Sequence, residues 1–294
     1  MKIKHLSFCF AVIAVCASVL FIACSKSTSS GGGATSGSGT QSISLFMTDG
    51  PGMYNHVYLD IKSISVLVDT STNTRRHDGD DWDRFGARNG KPDSSFVWDS
   101  LGVKAGVYDL MQLRNGVDTL LATSNIAAGS VRLIRINLGT NNSVMKDSVT
   151  YLLQIPVGAP TYILVKLLGN EWEHFAVNSS RLWIDFDIMR SIVFYNNTHY
   201  LFPFIRTFIV SKTGSISGRI LPEDALPEAV SIFGSSDTSY ALPNREGNFK
   251  VRGLKDGTYR VHISAANGYR DTTINNVIIS NASNVSISSV TLHK

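Results

Sequence analysis

From Ser42 to Lys294, no segment places apolar residues at helical spacing for three turns, and this narrows the fold more than any motif. What recurs instead is the short run rich in β-branched and aromatic residues. Examples are 57–68 (VYLDIKSISVLV), 131–138 (VRLIRINL), 149–155 (VTYLLQI) and 162–168 (YILVKLL). Gly, Asn and Pro punctuate these runs. Asn115-Gly116, between LMQLR and VDTLL, reads as a hairpin turn because both central positions of a type I′ turn need positive φ. Many short strands without alternating helices predict an all-β chain built as consecutive antiparallel sandwiches. The polar stretch 70–95 interrupts the pattern, and a second change of composition falls near Lys212-Thr213-Gly214, after the aromatic run 200–209.

The N-terminus is of another kind. Lys2, Lys4 and His5 precede an apolar run from Leu6 to Ala23, broken only by Ser7 and Ser18. This is the layout of a secretory signal, with a retained membrane anchor as the competing reading. Leu20-Phe21-Ile22-Ala23-Cys24 resembles the lipobox of bacterial lipoproteins. The resemblance implies lipidation of Cys24, with a diacylglycerol attached to the cysteine, cleavage before it and acylation of the new N-terminus. Ser25 stands where an Asp would resemble an inner-membrane retention signal, so the outer membrane is expected. No acidic cluster follows Cys24 to mark export to the outer leaflet, so a periplasm-facing anchor is expected. Residues 25–40 are nearly all Ser, Gly and Thr and read as a flexible tether. The expected layout is a signal peptide over 1–23, a tether over 24–41, and β-sandwiches over 42–212 and 213–294. Cys9, Cys16 and Cys24 are the three cysteines, so nothing downstream can form a disulfide, a thiolate metal site or a cysteine nucleophile.

Several motifs in order (SISLFMTDGPGMYNHVYLDIKSISV, VWDSLGVKAGVYDLMQLRNGVDTLLA, AAGSVRLIRINLGTNN, WIDFDIMRSIV and YLFPFIRTF) resemble a bacterial lipoprotein family, domain of unknown function 4382. The likeness covers about 42–210 and implies an architecture rather than a reaction. Over 214–294, GSISGRILPEDALPEAVSIFG, REGNFKVRGLKDGTYRVHISAANGYRD and NVSISSVTL resemble the carboxypeptidase regulatory-like family. That resemblance implies a transthyretin-like sandwich of the carbohydrate-binding-like type, without peptidase chemistry. The residues agree, since Glu246-Gly247 and Asp256-Gly257 bracket a strand 248–254.

Lys and Arg number 27 against 23 Asp and Glu, a net charge of +4, too small to imply a nucleic-acid partner without a clustered basic face. No nucleophile elbow, zinc-helix motif, phosphate loop or dinucleotide fingerprint is present, and histidines 56, 77, 174, 199, 262 and 293 are scattered. Three constellations remain. Asp78, Asp80, Asp81 and Asp83 carry carboxylates that suit Ca²⁺, or form a solubilising loop offset by Arg75 and Arg76. In RLWIDFDIM, period two puts Trp183, Asp185 and Asp187 on one strand face and Leu182, Ile184, Phe186 and Ile188 on the core face. An aromatic plate beside two carboxylates suits a sugar, and also suits an ordinary half-buried sheet face. Asp49, in Thr48-Asp49-Gly50-Pro51-Gly52, reads as a turn residue or as a ligand. The expected function is a non-catalytic envelope lipoprotein that binds a glycan or a protein. The alternative is a hydrolase using Asp49, Asp185 or Asp187.

Overall fold

The computed structural model describes residues 39–49, 53–71, 87–88, 91–92, 95–167, 180–225 and 227–294. Cys24, residues 25–38 of the tether, the Gly50-Pro51-Gly52 turn and Asp78, Asp80, Asp81 and Asp83 lie outside the described residues, whereas Thr40 and Gln41, expected in the tether, already pair with β7 as the start of β1. The chain is all-β. Its first part contains β1 (Thr40–Asp49), β2 (His56–Asp69), β3 (Ala87–Arg88), β4 (Lys91–Pro92), β5 (Phe96–Val103), β6 (Gly106–Asp109), β7 (Thr119–Ala127) and β8 (Ser130–Leu138). Then come β9 (Ser143–Lys146), β10 (Val149–Gln154), β11 (Tyr162–Lys166), β12 (Ser180–Phe186), the one-turn helix α1 (Ile188–Ser191), β13 (Ile192–Tyr195), β14 (Thr198–Leu201) and β15 (Ile205–Phe208). The second part holds β16 (Gly214–Leu221), β17 (Ala229–Phe233), β18 (Thr238–Ala241) and β19 (Asn248–Leu254). It ends with β20 (Gly257–Ser264), β21 (Thr272–Ile279), β22 (Asn284–Ser286) and β23 (Val290–Thr291).

β2 is the hub of the first sandwich, pairing with β5, β6, β8 and β9. It is buried along most of its length, as a run so rich in Val, Ile and Leu requires. β5 carries the sheet from one layer to the other: Phe96–Leu101 pair with β2, and Gly102 and Val103 pair with β7. The opposite layer continues through β1 and β12 to the edge strand β15. Leu45, Ile61, Val66, Ile134, Leu182 and Ile184 lie in the core between the layers.

The second sandwich has a separate apolar cluster, with Ile216, Val230, Ile232, Val261 and Ile263 fully buried. One sheet runs β18-β17-β20-β21, and the other joins β16 to β19, β22 and β23. No strand ladder crosses residue 213 among the described residues. Ser36–Lys294 nevertheless form one compact unit.

Three local features differ from the sequence reading. LMQL forms a 3₁₀ turn, so Asn115-Gly116 leads from that turn into β7 rather than closing a two-stranded hairpin. Its backbone is as argued, with φ of 57° and 82°. The aromatic run 200–209 is split: Pro203, which has no N–H to give a ladder, sits in the crossing between β14 and the edge strand β15. Although most ladders are antiparallel, β12 runs parallel to β1, β14 to β10, and β22 and β23 to β16.

The first sandwich has two ends. The chain enters where Gln41 donates to the Gly129 carbonyl (2.8 Å) and Gly39 accepts from Ala128 (2.9 Å), beside the Asp69 end of β2. The His56 end of β2 lies on the order of 40 Å away along the strand. There β9, β10 and β14 gather, and Asn55 donates to the Met145 carbonyl (2.8 Å).

Candidate functional site

The alternation in β12 is as the sequence implies. Leu182, Ile184, Phe186 and Ile188 are buried in the core, while Trp183, Asp185 and Asp187 leave it on the other face. That face is not an open sugar platform, because the second sandwich covers it. Asp185 is 6% exposed and is ion-paired with Arg206, which also reaches Ser239 and, at 3.5 Å, Asp237. Asp187, 1% exposed, caps α1 by accepting from the Arg190 N–H (3.0 Å) and holds the Arg190 side chain at 2.8 Å. Arg190 in turn spans to Asp237 (3.0 Å) and to the Thr238 carbonyl (3.1 Å). The Trp183 indole stacks on Phe46 with centroids 4.7 Å apart and donates to Asp118 (2.8 Å), which also holds Arg252 (2.7 Å). Gly253, at φ +73°, lies so close to Phe208 that a Cβ would stand 2.7 Å from the ring.

Burial raises the Asp185 carboxyl above its ordinary value, against the pull of the attached Arg206. Both carboxylates that a hydrolase would draw on here are thus committed to arginines. Asp49 ends β1 opposite Phe186, and its side chain lies outside the described residues. Among the described residues no three His, Cys, Asp or Glu side chains come together as a metal site.

A different cleft forms at the His56 end. It has a volume of about 730 Å³ and is walled by 53–56, 111–112, 114–115 and Val117 of the first sandwich and by Leu242, Asn244 and Arg245 of the second. His56 and Asp109 are hydrogen-bonded at 2.6 Å, and the His56 ring stacks on Tyr58. This resembles the base and orienter of a catalytic set, yet no hydroxyl is hydrogen-bonded to His56 among the described residues. Arg114 and Arg245 enter the cleft from the two sandwiches, and neither has an ion-pair partner among the described residues. Tyr54 links the cleft to an aromatic cluster in which buried His199 meets Tyr54 (5.6 Å), Tyr151 (5.0 Å) and Phe194 (4.7 Å). Beside it, β13 leaves Phe194 59% and Tyr195 72% exposed.

The family model for Domain of unknown function (DUF4382) matches residues 40–203, more than half of the 294 residues. The chain belongs to the DUF4382 family. No curated protein matches this DUF4382 chain. Among solved structures, it is similar to a type II cohesin-X-dockerin complex chain from Acetivibrio cellulolyticus at 24% identity and a TM-score of 0.23. That match covers 27% of this chain and 56% of the other, so it spans little more than half of the relative's length. It is also similar to a mutant of the shaft pilin SpaA from Lactobacillus rhamnosus GG, at 13% identity and a TM-score of 0.23, over 86% of this chain and 97% of that one. A streptococcal ancillary pilin matches at 12% identity and a TM-score of 0.21, over 86% and 69% of the two chains.

In this DUF4382 chain, sequence reasoning missed Arg114, Arg245 and the His56–Asp109 pair. The one available signal was the Asn115-Gly116 turn, which presents Arg114 immediately before it.

Proposed function

We propose that this chain is a non-catalytic binding or scaffold module of the cell envelope, which presents its His56 end to a glycan or protein partner. Acylated Cys24 anchors it in the outer membrane, facing the periplasm, and a Ser/Gly tether of about 15 residues leads to β1. Such a tether spans roughly 20 Å on average. The observation that carries the reading is polarity along the first sandwich. The chain enters at the Gly39 end, whereas the cleft and the exposed apolar side chains of β13 gather at the opposite end. An anchor at one end and an open surface at the other suit presentation of that surface away from the membrane. The separate apolar cluster supports treating 213–294 as a second domain, which we assign to the carboxypeptidase regulatory-like type.

Detergent extraction of the full chain with its neighbours, alongside a glycan array, tests the reading. Capture of one envelope protein or one glycan class, reduced by substitution in the cleft or of Phe194 and Tyr195, supports it. Turnover of a captured glycan overturns the non-catalytic assignment. Mass spectrometry showing the mature chain to begin elsewhere than at an acylated Cys24 overturns the anchor.

A further inference from the structure

Resting on that binding reading, we propose that the cleft at the His56 end takes an acidic oligosaccharide, with its carboxylates held between Arg114 and Arg245. The argument starts from charge. Arg190, Arg206 and Arg252, which also lie where the sandwiches meet, are each paired with an aspartate. Arg114 and Arg245 are not, among the described residues, although the fold brings both to one cleft. Two cations in one cleft repel each other, and an anion between them reverses the sign. The guanidinium fork matches the plane of a carboxylate with two parallel hydrogen bonds.

The uncharged groups add a second, independent constraint. Asn55 Oδ1 accepts the Asp147 N–H (2.8 Å), and Asn244 Oδ1 accepts the N–H groups of Glu246 (3.1 Å) and Asn248 (2.8 Å). Of the two polar atoms of an amide side chain only the oxygen accepts, so these bonds fix the orientation of both amides and leave Nδ2 of each as a donor. The cleft therefore asks for acceptors. A ligand that combines carboxylates with hydroxyls meets this demand, because the oxygens of both accept.

Shape narrows the class further. A second groove of about 250 Å³ adjoins the cleft, shares Arg114, Leu242, Asn244 and Arg245 with it, and is lined further by Pro222, Pro227 and Glu223, whose carboxylate is paired with Arg219 (3.1 Å). Two adjoining grooves that share both arginines suit a chain of sugars rather than one ring. The half-buried Tyr54 gives that chain an aromatic face to stack on.

The test is calorimetric titration of the full chain in detergent with oligomers of galacturonate, glucuronate and mannuronate, their methyl esters, and a poly-glutamate peptide of equal charge. At least one uronate series binds, its affinity falls with added salt, and its methyl ester is weaker by about tenfold or more. The R114Q/R245Q variant loses on the order of a hundredfold in affinity. R181Q, a change of an exposed arginine on β12, serves as the single-charge control and leaves binding intact. Coincident thermal unfolding of R114Q/R245Q and the parent excludes a folding defect. Equal affinity for poly-glutamate overturns the proposal in favour of an acidic protein, and so does equal affinity for the methyl esters in favour of a neutral glycan. Failure of every uronate series also overturns it. Capture of a neutral glycan or an envelope protein that R114Q/R245Q leaves unchanged overturns the acidic ligand but preserves the binding module. If the chain captures nothing at all, both fall.

Discussion

The two places where the second sandwich meets the first treat charge in opposite ways. Beside β12 and β15, Arg206 meets Asp185, Arg190 meets Asp187 and Asp237, and Arg252 meets Asp118. At the cleft, Arg114 and Arg245 meet no carboxylate among the described residues. Removing a charge from water is costly unless a partner is fixed in place, which makes buried Asp185 and Asp187, each held by an arginine, a structural set. It links Asp185 and Asp187 of the first sandwich to Asp237 and Ser239 of the second, and so defines how one sits on the other. The second set stays in contact with water and has its hydrogen-bonding capacity unspent. Charge identity says little about role here; pairing and burial say most of it.

The comparison breaks most readily at Arg206. Replacing it with Leu strands the Asp185 carboxyl, 6% exposed, without a counter-charge. The expected loss is about 3–5 kcal/mol of stability, read as a shift of the urea midpoint. A loss below about 1 kcal/mol would mean that the junction is wet and that its ion pairs behave as surface pairs. Asp118 comes next. It accepts from the Trp183 indole and from Arg252 at once, and Asp118→Ala frees both. A cost of about 1–3 kcal/mol is expected. In a double-mutant cycle with Arg252→Ala, coupling near zero would show that Asp118 acts through Trp183 alone.

Much of the scaffold was legible. The runs 57–68, 131–138 and 149–155 became β2, β8 and β10 to within a residue or so at each end, because β-branched runs bounded by turn residues have few other ways to hide. Period two sorted β12 correctly into a core face and an outer face. What it could not tell is what the outer face meets. Trp183, Asp185 and Asp187 looked like a surface site because alternation marks only what leaves one core, and nothing in it tells that Arg190 and Arg206 join them to Asp237 and Ser239 or that Asp118 and Arg252 meet the Trp183 indole. LMQL was misread for a local reason: Asp109 accepts the Met111 N–H (3.2 Å) and starts a 3₁₀ turn where strand propensity alone suggested a ladder. The cleft was least legible of all. Arg114 and Arg245 belong to different sandwiches, and no spacing rule joins them.

A smaller effect sharpens the comparison through pH. His199 is 6% exposed, boxed by Tyr54, Tyr151 and Phe194, and burial together with the nearby Lys146 charge lowers its pKa below the ordinary 6.5. The folded state resists protonation, so the unfolded chain binds more protons as pH falls below about 6.5. Stability is therefore full above that value and declines below it, towards the depressed folded pKa. Urea midpoints between pH 7.5 and 5 should show this decline in the parent, and His199→Phe should lessen it while keeping a ring in the box. An equal decline in both would assign the pH response to other groups.

The smallest effect is the most discriminating. R114Q/R245Q removes two positive charges from the junction, the same kind of residue whose loss at Arg206 is expected to be severe. No ion pair is broken and no buried carboxylate is stranded, because neither arginine has a carboxylate partner among the described residues. Gln keeps a donor at the cleft wall and is a modest change of volume at a hydrated position. The unfolding free energy should therefore move by no more than about 0.5 kcal/mol. A slight gain is the expected sign, since the repulsion between two like charges is removed. Salt gives a further check: screening should shrink that gain, because the repulsion acts across water within a Debye length. A loss above about 1.5 kcal/mol would place both arginines in the structural set with Arg206 and Arg252, and would leave the cleft without the free cations on which recognition of an acidic ligand depends.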